Sequence, residues 1–135
     1  MDGKAGKVVF LKEYDKLEYH EKEAIRILSE KHGFSFTVPE EFYDRKNIDF
    51  DFNGVLWELK SVRSSNNRLR RDRINEAYIK FQENGISDMR LIYHNLNDSY
   101  DETKIIDKVL SYAKEKGFCE ILFITNQKKV LRFYL

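Results

Sequence analysis

The sequence predicts an α/β fold, a mixed β-sheet flanked by helices, with elements in the order αβββαβαββ. Three observations predict it. Stretches with apolar residues at helical spacing alternate with short apolar or alternating runs. An Asn53-Gly54 pair sits between two alternating runs and marks a tight hairpin, because both central positions of a type I′ turn need positive φ. Gly33, Gly85 and Gly117 each follow a helical stretch, where glycine ends a helix at low steric cost.

The 135 residues suit one domain, expected over 14–135, with 1–13 as a linker or lead-in. Hydrophobic content of 41% and aromatic content of 14% place the chain among globular proteins rather than disordered ones. Acids (23) and bases (24) nearly cancel, so any binding to a polyanion must come from a local basic patch. One cysteine, Cys119, excludes an intramolecular disulfide and a multi-cysteine zinc site; its neighbours Phe118 and Glu120 to Phe123 predict a buried strand cysteine. No apolar run approaches the roughly 18 residues of a membrane span, and no signal peptide opens the chain. The expected setting is aqueous and reducing, without a membrane partner.

Taken in order, Val8 to Leu11 is a short apolar run in the lead-in. From Tyr14 to His32 the pattern is helical, with Leu17, Ala24, Ile25 and Leu28 on one side. The face 17, 21, 24, 28 puts Glu21 inside the apolar stripe, with Glu18 at its margin. A carboxylate there needs a partner or a metal, because a bare buried charge is costly. Phe34 to Val38 alternates as a strand that Pro39 ends. Glu40 to Lys46 is a charged loop. Asn47 to Phe52 and Val55 to Val62 are the hairpin strands. In the second, Val55, Trp57, Leu59 and Ser61 face one way and Leu56, Glu58, Lys60 and Val62 the other. Ser64 to Asn67 turns into a second helix, Arg68 to Glu83, with Leu69, Ile74, Ala77, Tyr78 and Phe81 inward. A strand over 88–94 should run parallel to Val55–Val62 through a crossover. A loop over 95–100, a helix over 101–116 and strands over 118–125 and 130–135 complete the chain.

The chemistry concentrates at the hairpin. Glu58 and Lys60 share a face two residues apart, and Asp49 lies on the neighbouring strand. Hydrolysing a phosphodiester requires an activated water, neutralised charge and a stabilised leaving oxygen. A divalent metal serves the first two, and Mg²⁺ uses one or two carboxylates with waters and substrate phosphate. Asp49, Glu58 and Glu21 can supply oxygens, as can the Leu59 carbonyl, and Lys60 can orient the water or offset charge. Arg63, Arg68, Arg70, Arg71 and Arg73 gather before and within the first turns of the second helix, a candidate anion-binding patch. Each part has a plainer reading as a solvated strand or helix face; the conjunction is what points to a site. His20, His32 and His94 could serve a metal-free acid–base RNase, but nothing in the sequence places them together.

The run Asp49-Phe50-x-x-Asn53-Gly54-x-x-Trp57-Glu58-Leu59-Lys60-Ser61 resembles the active-site core of the PD-(D/E)XK nuclease superfamily. More narrowly it resembles the C-terminal tRNase domains of contact-dependent growth-inhibition toxins, which carry a Pro-Asp-Phe, an Asn-Gly turn and a Trp-Glu-Leu-Lys-Ser run. The likeness covers residues 14–94 by element order and is specific over 47–62. Ile48 stands where the family has proline, a position without a chemical role.

The resemblance implies that Asp49 and Glu58 bind Mg²⁺ or Mn²⁺ and that Lys60 assists the attacking water. It also implies a helix glutamate beside them, Glu21 or alternatively Glu18. Position 51 is left free. The implied activity is a metal-dependent endonuclease, a toxin domain cutting RNA, with tRNA favoured. The implied partners are that nucleic acid and a cognate immunity protein. The implied place of action is the cytoplasm of a target cell, after delivery within a larger secreted protein. A DNA endonuclease of phage or mobile-element type, or a non-catalytic nucleic-acid-binding domain, is the alternative. Loops 40–46 and 95–100 are the expected specificity elements.

Overall fold

A computed structural model describes residues 4–44 and 47–135. Its centre is a seven-stranded mixed sheet whose spatial order follows the sequence. The strands are β1 (Val8–Phe10), β2 (Phe36–Val38), β3 (Phe50–Phe52), β4 (Val55–Val62), β5 (Arg90–Asn95), β6 (Glu120–Ile124) and β7 (Val130–Tyr134). β4, β5 and β6 run parallel, β1 runs parallel to β2, and the pairs β2–β3, β3–β4 and β6–β7 are antiparallel. The parallel relation expected between the second hairpin strand and the strand after the second helix is therefore present.

The helices are α1 (Tyr19–Arg26), α2 (Asn67–Glu83) and α3 (Glu102–Lys116). They divide between the two faces of the sheet. Ile74, Ala77 and Phe81 of α2 and Ile105, Val109 and Ala113 of α3 pack with Val62, Leu91, Tyr93, Ile121 and Phe123. Ala24, Ile25, Ile27 and Leu28 pack on the opposite face with Phe36, Phe50, Trp57, Leu59, Ile92, Leu122 and Ile124. Trp57 and Leu59 thus face α1 while Leu56 and Val62 face α2, the alternation read from β4. Strand β5 is buried from Leu91 through Asn95, as a central parallel strand covered on both faces must be.

Three expectations change. The lead-in contains strand β1, which adds an edge strand ahead of the expected order; the expected linker's residues 1–3 lie outside the described residues. Gly6 lets β1 dock: its N–H donates to Ser29 O at 2.8 Å, and a Cβ there would sit 1.9 Å from Phe34 O. The helix expected over 14–32 is broken. A 3₁₀ turn spans Tyr14–Lys16, Leu17 and Glu18 are extended, and α1 runs on into a π-helical turn at Ile27–Lys31. Buried Ser29 donates its hydroxyl to Ile25 O at 2.7 Å, a back-bond that competes with regular helical bonding. Leu17 is core, but it enters from the extended segment before α1. Cys119 lies half-buried in the α3–β6 connection, its Sγ 3.2 Å from Asp88 Oδ1 and 3.3 Å from Met89 O, rather than inside the strand.

Candidate active site

The hairpin sets the site. Asn53 (φ 55°) and Gly54 (φ 91°) both take the left-handed backbone that the turn requires. Asp51 is spent on that turn, its Oδ1 accepting the Gly54 N–H at 2.6 Å. Phe50 pairs with Trp57 and Asp51 with Leu56, so Asp49, in the bend before β3, comes opposite Glu58. The two acids clasp each other's backbone. Asp49 N–H donates to Glu58 Oε1 at 3.2 Å, and Leu59 N–H donates to Asp49 Oδ2 at 2.8 Å.

Glu58 is 1% exposed. Its Oε2 meets Lys80 Nζ of α2 at 2.5 Å as an ion pair and Lys60 Nζ at 3.8 Å, but it has no hydrogen-bond donor of good geometry. Burial, then repulsion from Asp49, holds the Glu58 carboxyl well above the usual carboxylate range, with Lys80 opposing. Burial pushes Lys80 down, but Asp49 and Glu58 more than reverse this and hold its ammonium above the usual lysine range. Lys60 Nζ also reaches Glu76 Oε1 at 3.4 Å, and Glu76 Oε2 takes Arg73 Nη1 at 2.5 Å. A buried acid beside a second acid, its charge offset by Lys80, is an environment that a cation also relieves. Asp49 and Glu58 therefore fit a divalent ion of the kind that takes one or two carboxylates and water.

Asp49, Glu58, Lys60 and Lys80 line an open cleft of about 420 Å³, together with Lys12, Glu18, His20, Glu21, Glu41 and Asn47. Glu21 lies on the α1 wall. One of its oxygens is committed to the helix start, where Oε1 accepts the Glu18 N–H at 3.0 Å in a capping box. Among the described residues, no three acids, histidines or cysteines close into a metal cluster, so Glu21 stands apart from the Asp49–Glu58 pair. Glu18, the alternative helix acid, accepts from or donates to nothing in that pair; its Oε2 lies 2.7 Å from His20 Nε2.

The arginines disperse. Arg70 is 1% exposed and holds the loop before α2 in place: Nη1 donates to Ser64 O at 2.8 Å, Nη2 to Ser65 O at 2.9 Å, and Nε to Asn67 Oδ1 at 3.2 Å. It is a structural residue and not part of a substrate patch. Arg71 stacks over Tyr112 of α3, 4.6 Å from the ring centroid. Arg63 and Arg68 are exposed, and Arg73 connects to Lys60 through Glu76. Within the loop expected to give specificity at 40–46, Arg45 and Lys46 lie outside the described residues. In the other, Asn95 and Asn97 are buried and tied down, Asn95 Nδ2 to Glu102 Oε2 at 2.6 Å and Asn97 Nδ2 to Arg63 O at 3.0 Å.

The fold joins two histidines that the sequence leaves unconnected. His20 Nδ1 lies 3.1 Å from Ser61 Oγ, and His94 is the register partner of Ser61 across β4 and β5. His94 is 2% exposed with Nδ1 unpartnered; burial pulls it down to about 4, against the pull of Glu23, whose Oε1 is 3.7 Å from Nε2. His32 is elsewhere, its Nε2 3.0 Å from Lys128 O. Lys80 is the main residue missed from sequence. Its signal is its place at the margin of the α2 stripe, three residues after Ala77 and one before Phe81.

The backbone matches a chain of the CdiA-CT/CdiI toxin and immunity complex from Burkholderia pseudomallei. The match has a TM-score of 0.65, covers 96% of this chain and 100% of that one, and has 14% sequence identity. The two chains share a fold. Identity this low carries the architecture and no further. No family model matches the sequence, and no curated protein does.

Proposed function

We infer that this chain is a metal-dependent endonuclease of the PD-(D/E)XK kind, a toxin effector domain that cuts RNA, with tRNA its favoured substrate. The observation that carries the reading is the convergence of Asp49, buried Glu58 and Lys60 on one open cleft. Strongly perturbed acids in a cleft gather where chemistry is done. A fold shared with a chain of a toxin and immunity complex supports the toxin part of the reading. The RNA preference rests on the likeness of 47–62 to tRNase toxin domains.

Asp49 and Glu58 would hold the cation, while Glu21 lines the same cleft from α1. When bound, the cation supplies Lewis-acid charge and a more acidic water. Lys60, on the same face as Glu58, offsets charge gathering at the scissile phosphate and orients the attacking water. Lys80, against Glu58 Oε2, opposes the burial and the Asp49 repulsion that favour a protonated Glu58. Exposed Arg63 and Arg68, and half-buried Arg73 paired with Glu76, hold the flanking backbone by charge. An immunity protein that covers the cleft is the expected partner, and the cytoplasm of a target cell the expected place of action.

The test is incubation with total tRNA and with plasmid DNA, in Mg²⁺, in Mn²⁺ and in EDTA. The reading expects tRNA cut at a defined position with either metal and intact in EDTA. Cleavage of plasmid alone moves the substrate to DNA. Cleavage of neither by folded protein contradicts the reading.

A further inference from the structure

Asp49 and Glu58 each commit one carboxylate oxygen to the backbone. Glu58 Oε1 accepts the Asp49 N–H at 3.2 Å, and Asp49 Oδ2 accepts the Leu59 N–H at 2.8 Å. Among the described residues, Asp49 Oδ1 and Glu58 Oε2 take no backbone donor, so these are the oxygens left for a divalent cation. Glu58 Oε2 is already occupied, because Lys80 Nζ lies 2.5 Å from it. A divalent ion on the same oxygen would meet that ammonium at close range, and two cations repel strongly where water is scarce.

Lys80 is built to let go. Its backbone is fixed by α2, whose neighbouring Ala77 and Phe81 are fully buried. The side chain beyond is a flexible four-carbon stem that lines the open cleft and is 21% exposed. The two lysines at Glu58 are held differently. Lys60 Nζ is 3.8 Å from Glu58 Oε2 but 3.4 Å from Glu76 Oε1, so a second acid keeps it in place. Among the described residues, Lys80 has no ion pair besides Glu58.

We propose that Lys80 is an exchangeable cation: it holds the divalent ion's place on Glu58 Oε2 in the metal-free protein and swings off into the cleft when that ion binds. The assignment rests on the nuclease reading above and adds a regulation of the same site. Without the divalent ion, Lys80 closes the pair of acids and offsets the buried charge of Glu58. With it, the ammonium is freed beside Lys60 and adds to the positive charge that faces a polyanion. No covalent bond changes and Lys80 keeps its charge throughout; one cation replaces another on one oxygen. Lys80 is thus a positioning residue that acts through Glu58.

The test follows the Lys80 ammonium by nitrogen–proton NMR while the intact chain is titrated with Mg²⁺ from an EDTA-treated start. The signal is assigned through the side-chain carbons and by its loss in Lys80→Arg, which keeps the charge. The amides of Asp49 and Leu59 donate to the two acids, so their shifts report the arrival of the ion independently. Wild type is expected to show a protected Lys80 signal without Mg²⁺ and to lose it to exchange with water as the two amides shift, with one midpoint for both. Glu58→Gln is expected to lack the protected signal with and without Mg²⁺. A Lys80 signal that stays unmoved while the amides shift overturns the proposal and leaves the nuclease reading standing. Amides that do not respond at Mg²⁺ concentrations that support tRNA cleavage overturn it as well, since the ion then acts elsewhere. Failure of the nuclease reading shows separately, as tRNA and plasmid left intact, and the titration uses neither.

Discussion

Glu58 is the residue on which stability and the proposed chemistry meet. Its carboxylate is buried against Asp49, and Lys80 offsets the charge. Removing one partner of such a pair strands the other, which costs about 3 to 5 kcal/mol in buried settings. Lys80→Met is therefore expected to lower stability at pH 7 by about 3 kcal/mol. The double variant Lys80→Met/Glu58→Gln should recover most of that loss. Urea unfolding of the four proteins checks this, and additive losses would show that the two side chains do not depend on each other. His94 gives a pH prediction. Unfolded, it titrates near 6.5; folded, burial holds it at about 4, amid Glu23, His20, Lys128 and Arg63. Above pH 6.5 it is neutral in both states. As pH falls from 6.5 toward 4, the unfolded chain takes up a proton that the folded chain refuses, so stability drops. The loss amounts to about 3 kcal/mol by pH 4. Wild type should lose about that much more than His94→Asn between pH 7 and pH 4, measured by denaturant unfolding at each pH.

At the scale of elements, the hairpin is the most legible part of the chain. Asn53-Gly54 names its turn, and period-two alternation in β4 assigns Trp57 and Leu59 to one core and Glu58 and Lys60 to the other face. Most other element ends shift by a residue or two, as frayed ends do, while the first hairpin strand starts three residues late, at Phe50. The first helix is less legible, because its apolar spacing runs through Leu17 although the backbone there is extended and the helix starts at Tyr19. Glu21 is consequently a capping residue as well as a cleft residue, and spacing alone cannot separate those roles. Helix α2 hides a different ambiguity. Its buried residues are Arg70, Ile74, Ala77 and Phe81, a single helical stripe, so position rather than charge marks Arg70 as internal. Reading the arginines by composition groups it with Arg68 and Arg71, from which the fold separates it. Arg70→Met removes charged donors from the carbonyls of Ser64 and Ser65 and is expected to cost about 2 to 3 kcal/mol. Arg68→Ala, at an exposed position, should change stability by less than about 0.5 kcal/mol. Thermal or urea unfolding separates the two, and equal effects would contradict the structural role given to Arg70.

For the whole molecule, the order of elements is legible because each buries an apolar face of its own period, and the sheet then follows sequence order from β1 to β7. What local pattern cannot show is convergence. Lys80 reaches Glu58 from α2, and His20 reaches Ser61 from α1; both contacts join residues more than twenty positions apart through opposite faces of the sheet. The near-neutral chain carries no overall attraction for a polyanion, so the proposed affinity for nucleic acid would have to come from the lysines of the cleft and the exposed arginines Arg63 and Arg68. The central claim is that this cleft hydrolyses RNA through Asp49, Glu58 and Lys60, and one comparison tests it most directly. Cleavage of total tRNA in Mg²⁺ is timed for wild type and for Glu58→Gln, which keeps the shape of the side chain and removes its charge. The account predicts cleavage by wild type and a loss of about 10³-fold or more in the variant, with the fold intact by circular dichroism. Undiminished cleavage by Glu58→Gln would contradict it.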